Sequence, residues 1–122
     1  MKRELKKQFF EAVELKKRGQ FECAIKRFLD LRKKDPDSAA ILAVLGNIYF
    51  DRRLFEDAVS VFKPAVELSP TQEGISLGLF LSLWKLGKRE EAMEELARFQ
   101  SISDSEEYRK IVKEINEKSN SG

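Results

Sequence analysis

The chain has 122 residues, of which 36% are charged and 42% hydrophobic, and its net charge is +2. This composition predicts one soluble domain with cytoplasmic location as the default, because no apolar run reaches the ~18 residues that a membrane-spanning helix needs. The chain has no histidine, which is the commonest general base and zinc ligand. It has one cysteine, Cys23, so it cannot form an internal disulfide. It also contains no Gly-rich phosphate loop or nucleophile motif. We therefore expect no enzyme and no bound metal or cofactor.

Similar residues recur at intervals of 34 positions. The aligned columns are Leu15, Tyr49 and Leu83; Ala24, Ala58 and Ala92; Phe28, Phe62 and Leu96; and Pro36 with Pro70. Within each interval, apolar residues at helical spacing form two successive stripes that are separated by a short break. A fixed period of this length is typical of helical repeat arrays, so the chain is predicted to contain three two-helix units.

The boundaries of the units follow from the period. In chain order, the predicted helices are 3–18 and 21–34 in the first unit (5–38), 38–52 and 55–68 in the second (39–72), and 71–86 and 89–101 in the third (73–106). Gly19 and Gly87 lie at the break between paired helices, where a left-handed cap favours glycine. Arg53 takes that place in the second unit, so this turn is expected to be built differently or to carry strain.

A seventh helix, 104–118, is predicted to close the array. Ser103 and Glu106 have the spacing of a capping box, and a narrow apolar stripe follows on an otherwise charged segment. The stripe consists of Tyr108, Ile111, Val112 and Ile115. Terminal units of repeat arrays need a polar outer face, which this helix would supply. Residues 1–118 thus form a single domain in this interpretation, and residues 119–122 are expected to be a disordered tail.

The columns resemble the tetratricopeptide repeat family, whose 34-residue unit favours large, small and aromatic residues and a proline at set positions. The second unit matches throughout, with Leu42, Leu45, Gly46, Tyr49, Ala58, Phe62, Ala65 and Pro70. The outer units depart from the pattern at Glu11, Phe80 and Asp104, which replace a leucine, a small residue and the proline. The resemblance implies an all-α fold, a right-handed α-solenoid of three repeats with a seventh, capping helix.

In such a stacked array, the first helix of each unit lies on the concave side. One stripe of its side chains packs in the core, and a second stripe can be presented to a ligand. The second stripe and its flanks predict the lining of a groove: Phe9, Val13, Ala43, Val44, Asn47, Phe50, Gly74, Leu77, Gly78, Leu81 and Trp84. Residues 74–84 include no charged side chain on any face, as in helices that are buried on all sides. Gly74 and Gly78 are expected to form the floor of the groove and to let another backbone approach.

The resemblance also implies a class of function. Some family members grip the acidic C-terminal tail of a chaperone with Lys, Asn and Arg side chains. The equivalent positions here are Phe9, Val13, Val44, Gly74 and Gly78, whose side chains cannot bind a carboxylate, so no acidic-tail clamp is expected. The apolar lining instead favours a protein–protein interaction module, adaptor or chaperone-like, that binds an apolar peptide or an amphipathic helix of another protein.

Several alternatives remain open. The chain could self-associate through the same surface, as a structural subunit or homodimer, or its C-terminal segment could cover the groove. Asn47 could hold a bound peptide backbone or form a local hydrogen bond between helices. Nucleic-acid binding would rest on the basic first third, where residues 1–38 hold 12 Lys or Arg and 7 Asp or Glu. Helical repeats read RNA with polar concave side chains, so no nucleic acid is expected as a partner, and no membrane either.

Overall fold

The computed structural model describes residues 1–120, and this part of the chain consists of seven α-helices without a β-strand. In chain order they are α1 (Arg3–Lys17), α2 (Phe21–Lys34), α3 (Ala39–Asp51), α4 (Phe55–Leu68), α5 (Glu73–Lys85), α6 (Arg89–Ile102) and α7 (Glu106–Asn120). The predicted all-α architecture of three helix pairs and a seventh helix is confirmed. Each predicted helix end lies within two residues of the observed one.

Successive helices from α1 to α6 pack side by side, and α3 also meets α5 directly. Two polar contacts show that the first and third pairs are antiparallel. Lys34 at the end of α2 donates to Gln8 near the start of α1 (3.3 Å), and Arg98 late in α6 donates to the Pro70 carbonyl just before α5 (3.0 Å). The direct contact between α3 and α5, the first helices of neighbouring units, places them in the inner, concave layer of the stack, and α1 is the corresponding helix of the first unit.

The three turns inside the helix pairs share one geometry. Their left-handed residues are Gly19 (φ 78°), Arg53 (φ 63°) and Gly87 (φ 79°). In each turn, the following residue donates its N–H to the carbonyl five positions earlier, over 2.9, 2.8 and 2.9 Å respectively. This bond defines a Schellman cap. Arg53 therefore adopts the glycine geometry, and its turn carries backbone strain of roughly 1 kcal/mol.

Small residues let the helices approach closely. Ala12, Ala24, Ala58 and Ala92 have no exposed surface. At the junction of the second and third units, a Cβ atom added to Gly46 or Gly78 would lie only 2.7 or 2.5 Å from the ring of Phe62. The two glycines, one on α3 and one on α5, thus leave room for a single buried ring of α4.

Helix α7 packs on the third unit through Tyr108, which is 1% exposed. The Tyr108 ring lies 5.2 Å from that of Phe99 and 6.2 Å from that of Phe80, measured between ring centroids. The Ser105 hydroxyl accepts a hydrogen bond from the Tyr108 N–H (3.2 Å). The prediction that Ser103 caps α7 is therefore wrong, because the helix starts two residues later than expected and Ser105 takes the capping place.

The end of the chain falls partly within α7. The helix continues to Asn120, so it includes the first two positions of the tail expected at 119–122, and positions 121–122 lie outside the described residues. No helix in the described range combines the length and the apolar character that crossing a membrane requires.

Candidate functional site

The residues of the predicted groove lie on the three inner helices. Eight of their side chains are apolar, half-buried and packed against the core: Phe9, Val13, Ala43, Val44, Phe50, Leu77, Leu81 and Trp84. Each therefore keeps part of its surface exposed after the chain has folded. All eight lie on the first helices of the three units, of which α3 and α5 contact each other directly and α1 joins them through α2. We call this set of side chains the concave strip.

On α1, contacts between aromatic rings hold Phe9, a residue of the concave strip, in place. The ring centroid of Phe9 lies 5.5 Å from that of the buried Phe28 and 5.7 Å from that of Phe10, in edge-to-face pairs. Such pairs contribute about 0.5–1.5 kcal/mol beyond the burial of area. Phe10 itself is 57% exposed. The strip thus has one ring held against the core and a second, largely exposed ring beside it.

Aromatic residues also mark the other edge of the strip, where α3 and α5 end. Phe50 contacts Phe55 in an edge-to-face pair with centroids 5.3 Å apart. Trp84 stacks on Phe80 at 5.7 Å, and the Arg89 guanidinium lies 4.8 Å from its ring centroid. A cation over an indole ring is attracted by the negative face of the ring. Trp84 is therefore ordered and half-exposed, and it can report on anything that binds beside it.

Gly78 does not have the role that its sequence position suggested. The atoms nearest to a Cβ built on Gly78 belong to the Phe62 ring, which lies in the core. Gly78 therefore does not form the floor of the groove, and the space that its missing side chain leaves is filled by this protein itself. Gly74 differs, because it is exposed and a Cβ there would meet nothing within 4 Å.

Asn47 lies on the exposed side of α3. Within residues 1–120, its side chain takes part in none of the hydrogen bonds that link neighbouring helices. The alternative of a local bond between helices is thus not what the structure contains. The amide remains available next to the concave strip.

A small cavity extends the concave strip at the start of α5. Its volume is about 150 Å³, and its lining comprises Glu73, Gly74, Leu77, Glu107, Tyr108 and Ile111. The Oε1 atom of Glu73 is buried and has no hydrogen-bond partner among the residues that the structure describes. Sequence patterns alone do not predict Glu73, Glu107 or Ile111 for the site, because their proximity depends on where α7 docks. Ile111 belongs to the apolar stripe of α7, whose position at the end of the array predicts a closing surface.

A buried polar cluster holds α7 in the place that creates this cavity. The Ser76 hydroxyl donates to Glu95 Oε2 (2.6 Å) and lies 3.1 Å from the Tyr108 hydroxyl. Arg98 donates to both oxygens of the same carboxylate, over 2.7 and 2.6 Å. Burial, opposed in part by the hydrogen bond with Ser76, raises the pKa of Tyr108 to about 12. Tyr108 is thus a neutral hydrogen-bonding group at physiological pH, and it orients α7 on α5.

The larger surface cavities lie away from the concave strip. One of about 710 Å³ opens between α4 and α6 and is lined mostly by charged side chains, and one of about 470 Å³ opens between α1 and α2. Among the described residues, no group of three or more His, Cys, Asp or Glu side chains is placed to hold a metal ion. None of the side chains of the concave strip lines either of these two cavities.

The comparisons with known proteins agree with this architecture. A family model described as tetratricopeptide repeat matches residues 11–73. No curated protein sequence matches the chain. Among solved structures, the first repeat domain of Spaghetti (RPAP3) bound to the HSP90 peptide SRMEEVD superposes with a TM-score of 0.81 at 19% identity, covering 95% of this chain and 93% of that one.

Two further solved structures extend the comparison. The type III secretion translocator chaperone SycD of Yersinia enterocolitica, in a form described as an alternative dimer, gives a TM-score of 0.77 at 17% identity over 96% of this chain and 89% of that one. A crystal structure of MamA gives 0.71 at 25% identity over 75% of this chain. The match spans 54% of that MamA chain. These likenesses concern the fold.

Proposed function

The chain belongs to the tetratricopeptide repeat family, and from that premise we propose that its concave strip docks an apolar peptide or an amphipathic helix of another protein. The observation that carries the proposal is the set of eight apolar side chains that stay half-exposed on α1, α3 and α5. Apolar surface that is continuous over several elements is typical of interaction sites. The protein would then act as an adaptor or a chaperone-like module.

The free energy gained by burying apolar side chains of a partner supports this proposal. Burying one aliphatic or aromatic side chain contributes about 1.5–3 kcal/mol, whereas ordering a segment on binding costs about 2–5 kcal/mol. Two or three anchors that pack against Leu77, Leu81 and Trp84 can therefore offset the cost of ordering one short helix. The exposed amide of Asn47 can hydrogen-bond to the polar groups at an end or along the backbone of such a segment.

The position of α7 argues against coverage of the strip by the described part of the chain. Its contacts with α5 are with the buried Ser76 and Phe80 and with the beginning of that helix, where Tyr108 and Ile111 lie near Gly74 and Leu77. Leu81 and Trp84, one and two turns further along, remain half-exposed. The strip thus stays open for a partner over most of its length.

The solved relatives support a peptide partner but not the same peptide. RPAP3 is described as bound to an HSP90 peptide and SycD as a chaperone of translocators. In this chain, apolar residues and glycines occupy the positions that would clamp an acidic tail. We therefore propose that it does not recognise acidic tails such as SRMEEVD, and that apolar side chains of the partner supply the affinity.

The test is a selection of random 12-residue peptides displayed on phage, with the Leu81→Glu variant for counter-selection. An unpaired carboxylate placed among apolar side chains should abolish binding of the selected peptides. It should lower the free energy of unfolding by less than about 1 kcal/mol, because Leu81 is only half-buried. Trp84 fluorescence and polarisation of labelled peptides measure binding, and urea denaturation measures stability.

Leu29→Glu, on the outer helix α2, is the matched control, because Leu29 is 36% exposed. It should bind as the wild type does, and SRMEEVD should bind no better than its scrambled sequence. Unfolding of Leu81→Glu would show that the strip is part of the core. Unchanged binding by a folded Leu81→Glu would place the site elsewhere. Concentration-dependent light scattering that Leu81→Glu abolishes would instead favour self-association through the strip.

A further inference from the structure

Glu73 lines the cavity at the start of α5. Oε1 of Glu73 is buried, and no side chain of the described residues donates to it. Arg98, in the cluster around Tyr108, pairs with Glu95 at 2.6 Å, and Arg109, the residue after Tyr108, pairs with Asp104 at 3.4 Å. A buried carboxylate oxygen without a partner is costly, so this site favours a ligand that brings a hydrogen-bond donor and a positive charge.

The walls of the cavity define the shape of that ligand. Leu77 and Ile111 supply aliphatic surface, the Tyr108 ring lies beside them, and the second carboxylate, of Glu107, lines the same space. Gly74 leaves the space beside it open, since a Cβ there would meet no atom within 4 Å. A volume of about 150 Å³ is small against the several hundred Å³ of ordinary small-molecule pockets. It suits one side chain with an apolar stem and a cationic end.

We infer that this cavity binds a Lys or Arg side chain of the docked partner, with the stem between Leu77 and Ile111 and the cationic group at Glu73. This inference rests on the proposed docking in the concave strip, because Leu77 belongs to both surfaces. Long cationic side chains bury their methylene stems along apolar walls while the head group reaches a charge. The partner segment therefore carries apolar anchors for α3 and α5 and one basic residue for the cavity.

The charges at the two ends of α5 fit the same orientation. The first turns of α5 and of the neighbouring α7 hold Glu73, Glu106 and Glu107, whereas the last turn of α5 holds Lys85. The cavity thus lies at the acidic end of α5. A basic residue of the partner is attracted to this end and repelled from the other one. The cavity consequently sets the direction in which a segment lies on the strip.

The inference is tested with the peptides that the phage selection yields on the wild-type protein. They should share a Lys or Arg next to their apolar residues. Dissociation constants are then measured for one selected peptide and for its copy with methionine in place of the basic residue, against the wild type, Glu73→Gln, Glu107→Gln and Glu106→Gln. Glu106→Gln is the matched control, because Glu106 is the first residue of α7, as Glu73 is of α5, but does not line the cavity.

On the wild type, methionine should weaken binding about tenfold, since one partner of a desolvated charge pair is lost. Glu73→Gln should weaken the basic peptide to a similar extent and leave the methionine peptide unchanged. Glu107→Gln should weaken the basic peptide less, and Glu106→Gln should have little effect. Circular dichroism verifies that all variants are folded.

Selected peptides that depend on Leu81 but show no basic preference would overturn this inference and leave the docking groove standing. The same conclusion follows if Glu73→Gln weakens both peptides equally, since the carboxylate would then not act through the cation. A selection that yields no peptide binding better to the wild type than to Leu81→Glu would overturn the groove and the cavity site together.

Discussion

The second and third units have the same helix lengths but different interiors. At the places where the second unit buries Leu42 and Val61, the third unit buries Ser76 and Glu95, which lie 34 residues further along the chain and are joined by a 2.6 Å hydrogen bond. The second unit has another repeat on either side, whereas the third packs against the single helix α7. Apolar packing is non-directional, while a buried hydrogen-bonded cluster fixes one arrangement of its members. The difference indicates that the last unit uses polar contacts to hold α7 in register.

Phe62→Ala should have the largest effect on stability, because it removes a central part of the apolar packing of the second unit. The ring is 1% exposed and fills the space beside Gly46 and Gly78. Its removal leaves a cavity between two units, and we expect a loss of about 3–5 kcal/mol in the free energy of unfolding. Urea denaturation followed by circular dichroism measures it. Phe10→Ala, at a 57% exposed position, is the control and should cost less than about 1 kcal/mol; equal losses in the two variants would contradict this view of the core.

Glu95→Gln tests the polar side of the comparison. The carboxylate accepts hydrogen bonds from Ser76 and from two nitrogens of Arg98. The amide keeps the size of the side chain but loses the charge and one acceptor, so we expect a loss of about 2–3 kcal/mol. The same denaturation experiment measures it, with Glu94→Gln on the exposed side of α6 as the control. A loss no greater than that of the control would mean that the cluster contributes nothing to stability.

The pH dependence of stability isolates Tyr108. The tyrosine of the unfolded chain ionises around pH 10, whereas burial raises the pKa of Tyr108 in the folded protein to about 12. Between these values the unfolded state has lost a proton that the folded state keeps. The free energy of unfolding should therefore fall by about 2 kcal/mol from pH 10 to 12 and level off above. Tyr108→Phe is the control, since lysines titrate in both proteins, and parallel stability curves would refute the assignment.

A double variant, Ser76→Leu with Glu95→Val, makes the third unit more like the second. Replacing buried charged groups by packed apolar residues is often neutral or stabilising, so we expect global stability within about 1 kcal/mol of the wild type. The Tyr108 hydroxyl and Arg98 would lose their partners at the same time. Amide hydrogen exchange should then become faster in α7 than in α3 and α4. Unchanged protection of α7 would show that aromatic contacts with Phe80 and Phe99 suffice to hold it.

Much of the fold could be predicted because its signals are local or periodic. The 34-residue spacing of Ala24, Ala58 and Ala92 defined the units, and Gly19 and Gly87 marked two of the turns. The polar cluster was missed although the same spacing contained its signal. Aligning Leu42 with Ser76 and Val61 with Glu95 would have shown two buried positions becoming polar in one unit. Nothing in the spacing, however, placed Tyr108 beside them, since α7 begins outside the repeat.

The candidate site was predicted less completely than the fold. The eight apolar side chains that helical periodicity selected on α1, α3 and α5 are half-exposed, and their role in binding stays a prediction. It could not indicate what the missing side chain of Gly78 faces, because that depends on Phe62 reaching across from α4. The cavity at Glu73 and Ile111 likewise depends on how two helices dock. Such contacts between distant segments are properties of packing and leave no local pattern in the sequence.

Replacing the two glycines of α5 by alanine should have the smallest effect on stability. The two substitutions distinguish the effect of core packing from that of helix propensity within one helix. Alanine is favoured over glycine in helices by up to about 1 kcal/mol, and both changes gain part of it. At Gly78 the new methyl group would overlap the Phe62 ring at 2.5 Å, whereas at Gly74 it meets nothing within 4 Å. Overpacking of a core costs about 1–3 kcal/mol, so Gly78→Ala should be less stable than the wild type by about 1 kcal/mol. Gly74→Ala should be equally or slightly more stable. Thermal denaturation of the two variants side by side measures the difference, and if Gly78→Ala were the more stable of the two, the close approach of α5 to α4 at Phe62 would be wrong.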